Sequence, residues 1–287
     1  MHVYIAVMNT STHISQEILD LRNRYSPEGS LLRRDQKELL RMLQEIGEIC
    51  DRHNIRWWLA AGTLLGAARH GGFIPWDDDV DIFVLRKDYR MLEKILCGLQ
   101  SEEHVFHCMR TDAEYVNSFG KFRKKEGCIQ SSNKRHKYYK WKGIGLDVFV
   151  IERTSYFAAR LSSVVYKNLQ YPTLYISNAK IRRLLIRIVE FFCLGIINPL
   201  LRLIGLINPR GEYHYALGTG WPKATFFKKD IFPLTKIEFE GVLFPAPKDT
   251  DGFLRGEYGD WHQIPSEEAI KKSIHCKEYR EEIFGKE

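Results

Sequence analysis

Four aspartates lie close together in the segment GGFIPWDDDVDIFVL, where an apolar run begins: Asp77, Asp78, Asp79 and Asp81. Side chains alternate between the two faces of a strand. Asp79 and Asp81 should therefore share one face, with Asp77 beside them and Asp78 on the other face. Carboxylates this close repel one another unless one is protonated or a cation lies between them. The pattern predicts a divalent ion with oxygen ligands, Mg²⁺ or Mn²⁺.

A fifth aspartate, Asp147, is the only acid in the apolar run GIGLDVFVI. A lone carboxylate in a buried strand needs a partner, and a metal shared with Asp79 and Asp81 would supply one. These three residues are therefore the predicted metal ligands. A solvated loop of aspartates is the less favoured interpretation, because the acids continue into a strand with buried character. A calcium loop is weaker too, because the EF-hand spacing is absent.

A phosphate site is predicted just before the aspartates, in the segment LAAGTLLGAARHGG. We expect a strand to end at Gly62 and a helix to begin at Thr63, and such helix N-termini bind phosphate readily. A Gly-Thr pair alone is more often an ordinary cap. With Asp79 and Asp81 following, it predicts a phosphate cradle beside a metal. That combination indicates phosphoryl or nucleotidyl transfer, in which positioning and charge neutralisation provide most of the catalysis.

Other side chains are weaker candidates for substrate contact. Arg69 and His70 precede the loop to the aspartates, and they could hold phosphate or cap the short helix. In FGKFRKK, Lys121 and Arg123 alternate along an expected strand and should share one face. Lys121 is the better candidate for a phosphate, although a solvated basic face is equally consistent. Trp76 most simply packs in the core, but it could stack on a base or contact an organic cation.

The composition is that of a folded, basic protein. Of 287 residues, 44% are hydrophobic and 13% aromatic, which excludes a largely disordered chain. The formal charge of +7 suits an anionic partner, such as a nucleotide, a nucleic acid or a membrane face. The six cysteines form no C-x-x-C pair, so we expect neither a zinc knuckle nor a disulfide framework, and a reduced, cytoplasmic compartment. We expect the first residues not to act as a secretion signal, because their apolar part is short and lacks a basic start, and either Met1 or Met8 is the expected start.

Predicted strands and helices alternate along the chain. An amphipathic helix is predicted over RRDQKELLRMLQEIGEICDRHNI, with Asp35 as its cap. The segments RWWLAAG, VDIFVL and GIGLDVFVIE predict strands, and KIEFEGVLFPAP predicts a strand or hairpin. DYRMLEKILCGL predicts a helix with a C-terminal glycine, and Ser266 is expected to open a late helix. This alternation indicates an α/β or α+β fold.

The segment from Ser155 to about Arg210 is rich in Leu, Ile, Phe and Arg. Only eleven residues separate Glu190 from Arg202, fewer than the roughly 18 that a membrane span needs. Basic residues flank the apolar body: Lys180, Arg182, Arg183 and Arg187. Two interpretations are about equal, a basic amphipathic helix on an anionic membrane face through about 180–207, and a buried helical subdomain. The Asn-Pro pairs at 198–199 and 208–209 should break the segment.

The run from Gly62 to His70, continued by GFIPWDDDVDI from Gly72 to Ile82, resembles the LicD family. That family includes bacterial phosphocholine transferases and is related to fukutin and fukutin-related protein. The resemblance covers residues 36–153 well and 232–270 loosely. It implies a nucleotidyltransferase-like α+β fold: a mixed sheet with flanking helices, and a helical, basic amphipathic insertion over about 155–215. The implied domains are an N-terminal extension over 1–34 and a catalytic domain over 35–287.

The resemblance also implies roles for the site residues. Gly62 and Thr63 match the turn of the family motif, Asp79 and Asp81 match its paired acids, and Asp147 matches its third acid. Asp77 matches a further acid. The implied chemistry is attack by a sugar hydroxyl on the distal phosphorus of a CDP-activated donor, with a divalent metal. Either Asp147 or Asp77 is then the expected proton acceptor.

The leading prediction is transfer of phosphocholine from CDP-choline to a cell-surface glycan or its lipid-linked precursor, such as teichoic acid, lipopolysaccharide or capsule. CDP-ribitol or CDP-glycerol is the alternative donor. We expect a cytoplasmic enzyme, peripheral on the inner face of the plasma membrane. A basic nucleic-acid-binding protein is the alternative of another class. It is disfavoured because the basic residues are spread out and no RNA-binding signature is present.

Overall fold

The computed structural model describes residues 16–127, 134–205, 207–208, 210–274 and 276–285. Within these residues, one mixed sheet contains seven strands: β1 (Trp57–Leu59), β2 (Val80–Leu85), β3 (His104–His107), β4 (Gly120–Lys124), β5 (Gly145–Arg153), β6 (Glu212–Tyr215) and β7 (Phe226–Phe227). The order is β1-β2-β5-β4-β3, and β6 pairs with both β5 and β7. Only β2 and β5 run parallel among these described pairs.

A separate hairpin and a set of helices surround this sheet. The hairpin consists of β8 (Thr235–Phe239) and β9 (Val242–Ala246), as KIEFEGVLFPAP predicted. The helices outside residues 156–205 are α1 (16–25), α2 (Leu31–Arg52), α3 (Ala61–His70), α4 (Arg86–Cys97), α8 (Lys228–Ile231), α9 (Thr250–Tyr258), α10 (Glu267–Ser273) and α11 (Lys277–Phe284). The predicted α+β fold is confirmed.

Helix α2 begins earlier than predicted. Ser30 is its N-cap, and the Ser30 hydroxyl accepts a hydrogen bond of 3.1 Å from the backbone N–H of Arg33. The predicted cap, Asp35, lies inside the helix, where its carboxylate accepts a hydrogen bond from the Tyr279 hydroxyl. The prediction of Asp35 was wrong because a serine five residues upstream satisfies the first free N–H groups. The other predicted opening, Ser266, does cap α10.

We call residues 156–205 the helical arm. It contains α5 (Tyr156–Gln170), a 3₁₀ turn (Tyr171–Tyr175), α6 (Ala179–Glu190), a π-helical segment (Phe191–Ile197) and α7 (Asn198–Gly205). The helical part ends at Gly205, before the predicted limit of 215, because β6 returns the chain to the sheet.

The predicted break at Asn198-Pro199 is wrong, because the helix runs continuously from Ala179 to Gly205. The π-helical segment ends at Ile197, so Pro199 falls in the first turn of α7. Proline lacks a backbone N–H, and the π-helical segment that precedes it changes the hydrogen-bond pattern there, so the helix continues through Pro199. The other predicted breaker, Pro209, lies outside the described residues.

The turn between β1 and α3 prepares the site. Strand β1 ends at Leu59 and α3 begins at Ala61, so both boundaries precede the predicted ones at Gly62 and Thr63. Ala61 has a φ of 41°, a left-handed conformation that is unfavourable for a residue with a Cβ. The backbone N–H of Ala60 donates to the carbonyl of Asp81 at 3.0 Å. The strained turn is thereby fixed against the strand that carries the aspartates.

Candidate active site

A cavity of about 800 Å³ lies where the parallel strands β2 and β5 begin. Five carboxyl groups from the sequence prediction line it: Asp77, Asp78, Asp79, Asp81 and Asp147. We call it the acidic cavity. Asp81 and Asp147 come together because they are register partners across β2 and β5. Lys121 is the register partner of Asp147 on the other side, in β4. Three neighbouring strands therefore place an acid, an acid and a base side by side.

The carboxyl groups of the acidic cavity are crowded, and they are buried at Asp81 and Asp147 and half-buried at Asp77, Asp78 and Asp79. Asp81 is 6% exposed and Asp147 is 5% exposed. Burial, followed by the charges of Asp79 and Asp147, raises the pKa of Asp81 well above its usual range. Burial and the neighbouring aspartates likewise raise the pKa of Asp77 well above its usual range, and that of Asp78 to about 7. Such a cluster favours either protons or a bound cation.

Asp78 lines the cavity with the other acids, so the prediction that it points to the opposite face was wrong. Residues 77–79 precede β2, which begins at Val80. Strand alternation does not apply to them, and the loop turns all three toward the cavity.

Gly62 and Thr63 serve the aspartates directly. A Cβ on Gly62 would lie 2.7 Å from Oδ2 of Asp77, so any larger residue would displace that carboxyl group. Thr63 is 4% exposed, and its hydroxyl accepts a 2.8 Å hydrogen bond from the backbone N–H of Asp81. Gly62 lines the cavity, whereas Thr63 lies behind it and fixes Asp81 in place. The phosphate contact of both residues stays a prediction.

Asp147 has a protein partner, which the sequence did not reveal. Its Oδ1 forms an ion pair with Lys121, whose side chain is 13% exposed. Among the described residues, no group of three or more His, Cys, Asp or Glu side chains is positioned as it stands to hold a metal ion. The acidic cavity offers the oxygen donors that Mg²⁺ or Mn²⁺ uses, and a bound cation would offset the repulsion among its carboxylates. The metal ligands Asp79, Asp81 and Asp147 stay a prediction.

Arg69 and His70 lie outside the cavity lining and brace it from behind. Arg69 donates to the carbonyls of Trp261 and Gln263, both at 2.9 Å, and to Nε2 of His70 at 3.0 Å. Burial, and then the charge of Arg69, lowers the pKa of His70 to about 3, so its ring is neutral. The pair ties α3 to the loop after α9. Trp76 does line the cavity, and it packs edge-on against Tyr25 at 5.3 Å.

The opposite wall contains residues that the sequence reasoning missed. Lys167 comes from the helical arm, Trp221 and Lys223 come from the loop after β6, and Glu257 comes from α9. The Tyr215 hydroxyl donates to Oε1 of Glu257. Burial raises the pKa of Glu257 to about 7, and its Oε2 has no hydrogen-bond partner among the described residues. The sequence signal for Glu257 was its position, because it lies within residues 232–270, which loosely resemble the LicD family.

Comparison with known families agrees with the resemblance that the sequence motif carries. Residues 54–184 match the family model described as LicD/FKTN/FKRP, nucleotidyltransferase domain. This match covers just under half of the chain and includes the segment whose motif resembles the LicD family. The matched region contains Gly62 and all five aspartates of the acidic cavity, as well as the first part of the helical arm.

Two relatives are named for what they transfer. The lipopolysaccharide cholinephosphotransferase LicD of Haemophilus influenzae is 24% identical over 259 residues, which cover 84% of this chain and 94% of that protein. The ribitol 5-phosphate transferase FKRP of Homo sapiens is 42% identical over 60 residues, which cover 20% of this chain and 12% of that protein. The uncharacterized protein RP689 of Rickettsia prowazekii is 43% identical over 58 residues, covering 20% of this chain and 22% of that protein. The named relatives are phosphotransferases.

Proposed function

We propose that this protein transfers phosphocholine from CDP-choline to a hydroxyl of a glycan. The observation that carries the proposal is a buried carboxylate cluster inside a LicD-family domain, in a chain that aligns along most of its length with a cholinephosphotransferase. The coarser class, a phosphotransferase acting on glycans, has the support of both named relatives. The choice of donor and of metal goes beyond them.

The cavity walls support a donor with an organic cation. Trp76, Tyr215, Trp221 and Tyr258 line the same space as the aspartates. Aromatic faces and carboxylates together attract a quaternary ammonium group. Lys167 and Lys223 also line the cavity and are placed to meet a pyrophosphate. A polyol donor such as CDP-ribitol would use hydrogen bonds instead, and it is the second candidate because of the match to a ribitol 5-phosphate transferase.

The reaction then follows as an in-line displacement. The acceptor hydroxyl attacks the choline-bearing phosphorus, a new P–O bond forms, the bond to the CMP oxygen breaks, and CMP leaves. A divalent ion at Asp79, Asp81 and Asp147 would supply charge neutralisation for the pyrophosphate. Gly62 leaves room for Asp77, and Thr63 holds Asp81 against the substrate. The chain thus orients the donor and keeps water away from it.

Three carboxyl groups are candidates for accepting the proton of the hydroxyl: Asp77, Asp147 and Glu257. Asp147 already binds Lys121, and Asp77 is crowded by Asp78 and Asp79. Glu257 has one oxygen without a hydrogen-bond partner among the described residues, and its pKa of about 7 suits proton transfer near neutral pH. We therefore favour Glu257 over the two aspartates.

The test is release of CMP from CDP-choline, measured beside CDP-ribitol and CDP-glycerol with Mg²⁺, Mn²⁺ or EDTA, and with a cell-surface glycan extract as acceptor. We expect turnover of CDP-choline that EDTA abolishes. Turnover of CDP-ribitol or CDP-glycerol but not of CDP-choline would show that the donor is a CDP-activated polyol. Turnover that EDTA leaves unchanged would show that the reaction does not require a divalent metal. No turnover and no metal-dependent binding of any donor would reject the proposed chemistry.

A further inference from the structure

The helical arm exposes a long apolar stripe. Exposed side chains recur at steps of three and four along one side of the helix, including Ile181, Leu184, Ile188, Phe191, Leu200 and Leu203. Phe191 and Leu203 are 64% and 63% exposed. Of the helices that the structure describes, Ala179–Gly205 is the one long and apolar enough to cross a membrane, and only 22% of its most apolar window is buried. An exposed apolar surface of this extent marks an interaction site.

The opposite side of this helix carries buried charge, which reverses the usual arrangement of a surface helix. Arg182 is 4% exposed and donates to both oxygens of Glu114, at 2.7 and 2.9 Å. Near the other end, Arg202 donates to Glu152 at 2.7 Å. Glu114 and Glu152 belong to the catalytic domain outside the arm. These two ion pairs fasten the helix along the domain, so the apolar stripe faces away from it.

The same ion pairs favour a helix lying in the plane of a membrane over one crossing it. A crossing helix would have to withdraw Arg182 and Arg202, and it would take away from the buried Glu114 and Glu152 the arginines of the arm that pair with them. An in-plane helix keeps both pairs and immerses only the stripe. The sequence predicted no membrane span, because only eleven residues separate Glu190 from Arg202, whereas the observed helix is long and apolar enough for one. Its ion pairs to the domain nevertheless disfavour a membrane-spanning orientation.

The positive charge beside the apolar stripe favours an anionic lipid surface as its partner over a second copy of the chain. Residues 155–210 contain eight Lys and Arg and a single acid, Glu190, and of these cations Arg182 and Arg202 pair with Glu114 and Glu152 on the side that faces the domain. Exposed Lys180, Arg183 and Arg187 flank the stripe. Two copies of the chain meeting through this surface would bring like charges together. An anionic lipid face would neutralise them.

We propose that the helical arm docks in the plane of an anionic bilayer face, with the stripe among the acyl chains and the flanking cations on the headgroups. The apolar surface continues on α5, where Phe157 and Leu161 are exposed and Val164 lines the acidic cavity. Docking therefore brings the cavity mouth to the lipid surface. An acceptor carried on a lipid would then reach the cavity from the bilayer; this last step rests on the proposed function, whereas docking does not.

The experiment is flotation of the full chain with vesicles of phosphatidylcholine, with and without phosphatidylglycerol, in the absence of any donor. We expect the chain to float with the anionic vesicles and to bind less tightly as salt rises. The double variant Phe191→Ser, Leu203→Ser should bind at least about tenfold more weakly, because two large apolar side chains no longer enter the lipid. The matched control is Met91→Ser, Leu243→Ser, which changes exposed apolar residues of α4 and β9 and should bind like the unchanged chain.

Two results would overturn the proposal. One is flotation of the double variant equal to that of the control. The other is a dimer, seen by sedimentation equilibrium, that the double variant dissolves while the unchanged chain fails to float; the stripe would then belong to a second copy. Circular dichroism checks that both variants fold. Because flotation needs no donor, loss of CMP release with normal flotation would reject the proposed function and leave docking intact.

Discussion

The acidic cavity and the helical arm both contain buried charge. In the arm each buried charge is paired with an opposite charge, whereas in the cavity like charges lie together. In the arm, Arg182 is buried against Glu114, and two short hydrogen bonds join them. In the cavity, half-buried Asp77 and buried Asp81 lie beside other carboxyl groups, and their removal from water together with this crowding raises both pKa values. The arm also places its apolar residues outside, whereas the cavity places its polar residues inside.

The difference distinguishes charge that builds the fold from charge that prepares a site. A buried ion pair fixes geometry, and breaking it leaves an uncompensated charge. Like charges buried together lower stability, and a chain retains them where a ligand relieves the repulsion. The crowded carboxylates of the cavity therefore favour binding of a cation, and a phosphate group could bind beside that cation. The buried charges of the arm are already paired and need no ligand. The part of the arm that lacks a partner is its exposed apolar face.

The largest expected effect comes from Asp81→Asn, which removes one of the crowded charges of the cavity. It tests whether that charge serves the site at the expense of stability. We expect turnover to fall by about a hundredfold to a thousandfold, because a group that stabilises charge in the transition state is lost. We also expect the melting temperature in EDTA to rise by roughly 2–4 °C, which corresponds to about 1 kcal/mol. CMP release and thermal unfolding measure the two effects.

The control for this variant is Asp20→Asn, which alters an exposed aspartate of α1 and should change neither quantity. Mg²⁺ should raise the melting temperature of the unchanged chain and have less effect on Asp81→Asn. A variant that loses both activity and stability would show that Asp81 supports the fold, and the distinction between the two kinds of buried charge would not hold.

The next effect is on stability and concerns the arm. Glu114→Gln should lower the free energy of unfolding by about 3 to 5 kcal/mol, because Arg182 stays buried without a counter-charge. The control is Glu268→Gln, which removes an exposed ion pair to Lys272 and should cost less than about 1 kcal/mol. Urea unfolding provides both values. Equal losses in the two variants would mean that burial does not strengthen the pair in the arm.

Much of this arrangement was predictable from sequence, because strands and close carboxylates leave local patterns. VDIFVL gave β2 with its predicted limits, and Asp147 was singled out as a lone acid in an apolar strand. The partner of Asp147 was not predictable, since Lys121 meets it only through the pairing of β4 with β5. Likewise, the pattern of α6 showed an amphipathic helix but not which side would face the domain. That depends on Glu114, which is 68 residues away from Arg182.

A smaller effect concerns pH and sharpens the cavity side of the comparison. Burial raises the pKa of Glu257 from 4.5 to about 7, so the folded chain holds a proton that the unfolded chain releases earlier. Stability should therefore fall as the pH rises from about 4.5 through about 7. Glu257→Gln should remove about 1 to 3 kcal/mol of that decline, and it should match the unchanged chain near pH 4. Unfolding measured across this range tests the sign, and an unchanged pH slope would contradict it.

The smallest effect should come from Trp221, which lines the cavity and is 46% exposed to solvent. If its ring contacts the choline cation, Trp221→Leu should raise KM for CDP-choline about fivefold and leave kcat nearly unchanged, since an exposed cation–π contact contributes about 1 kcal/mol. Trp261→Leu, outside the cavity lining, is the control. KM for CDP-ribitol separates the explanations, because that donor has the same cytidine and no cation. An equal rise for both donors would place the cytosine on Trp221, and the choline would then have to rest against the aspartates.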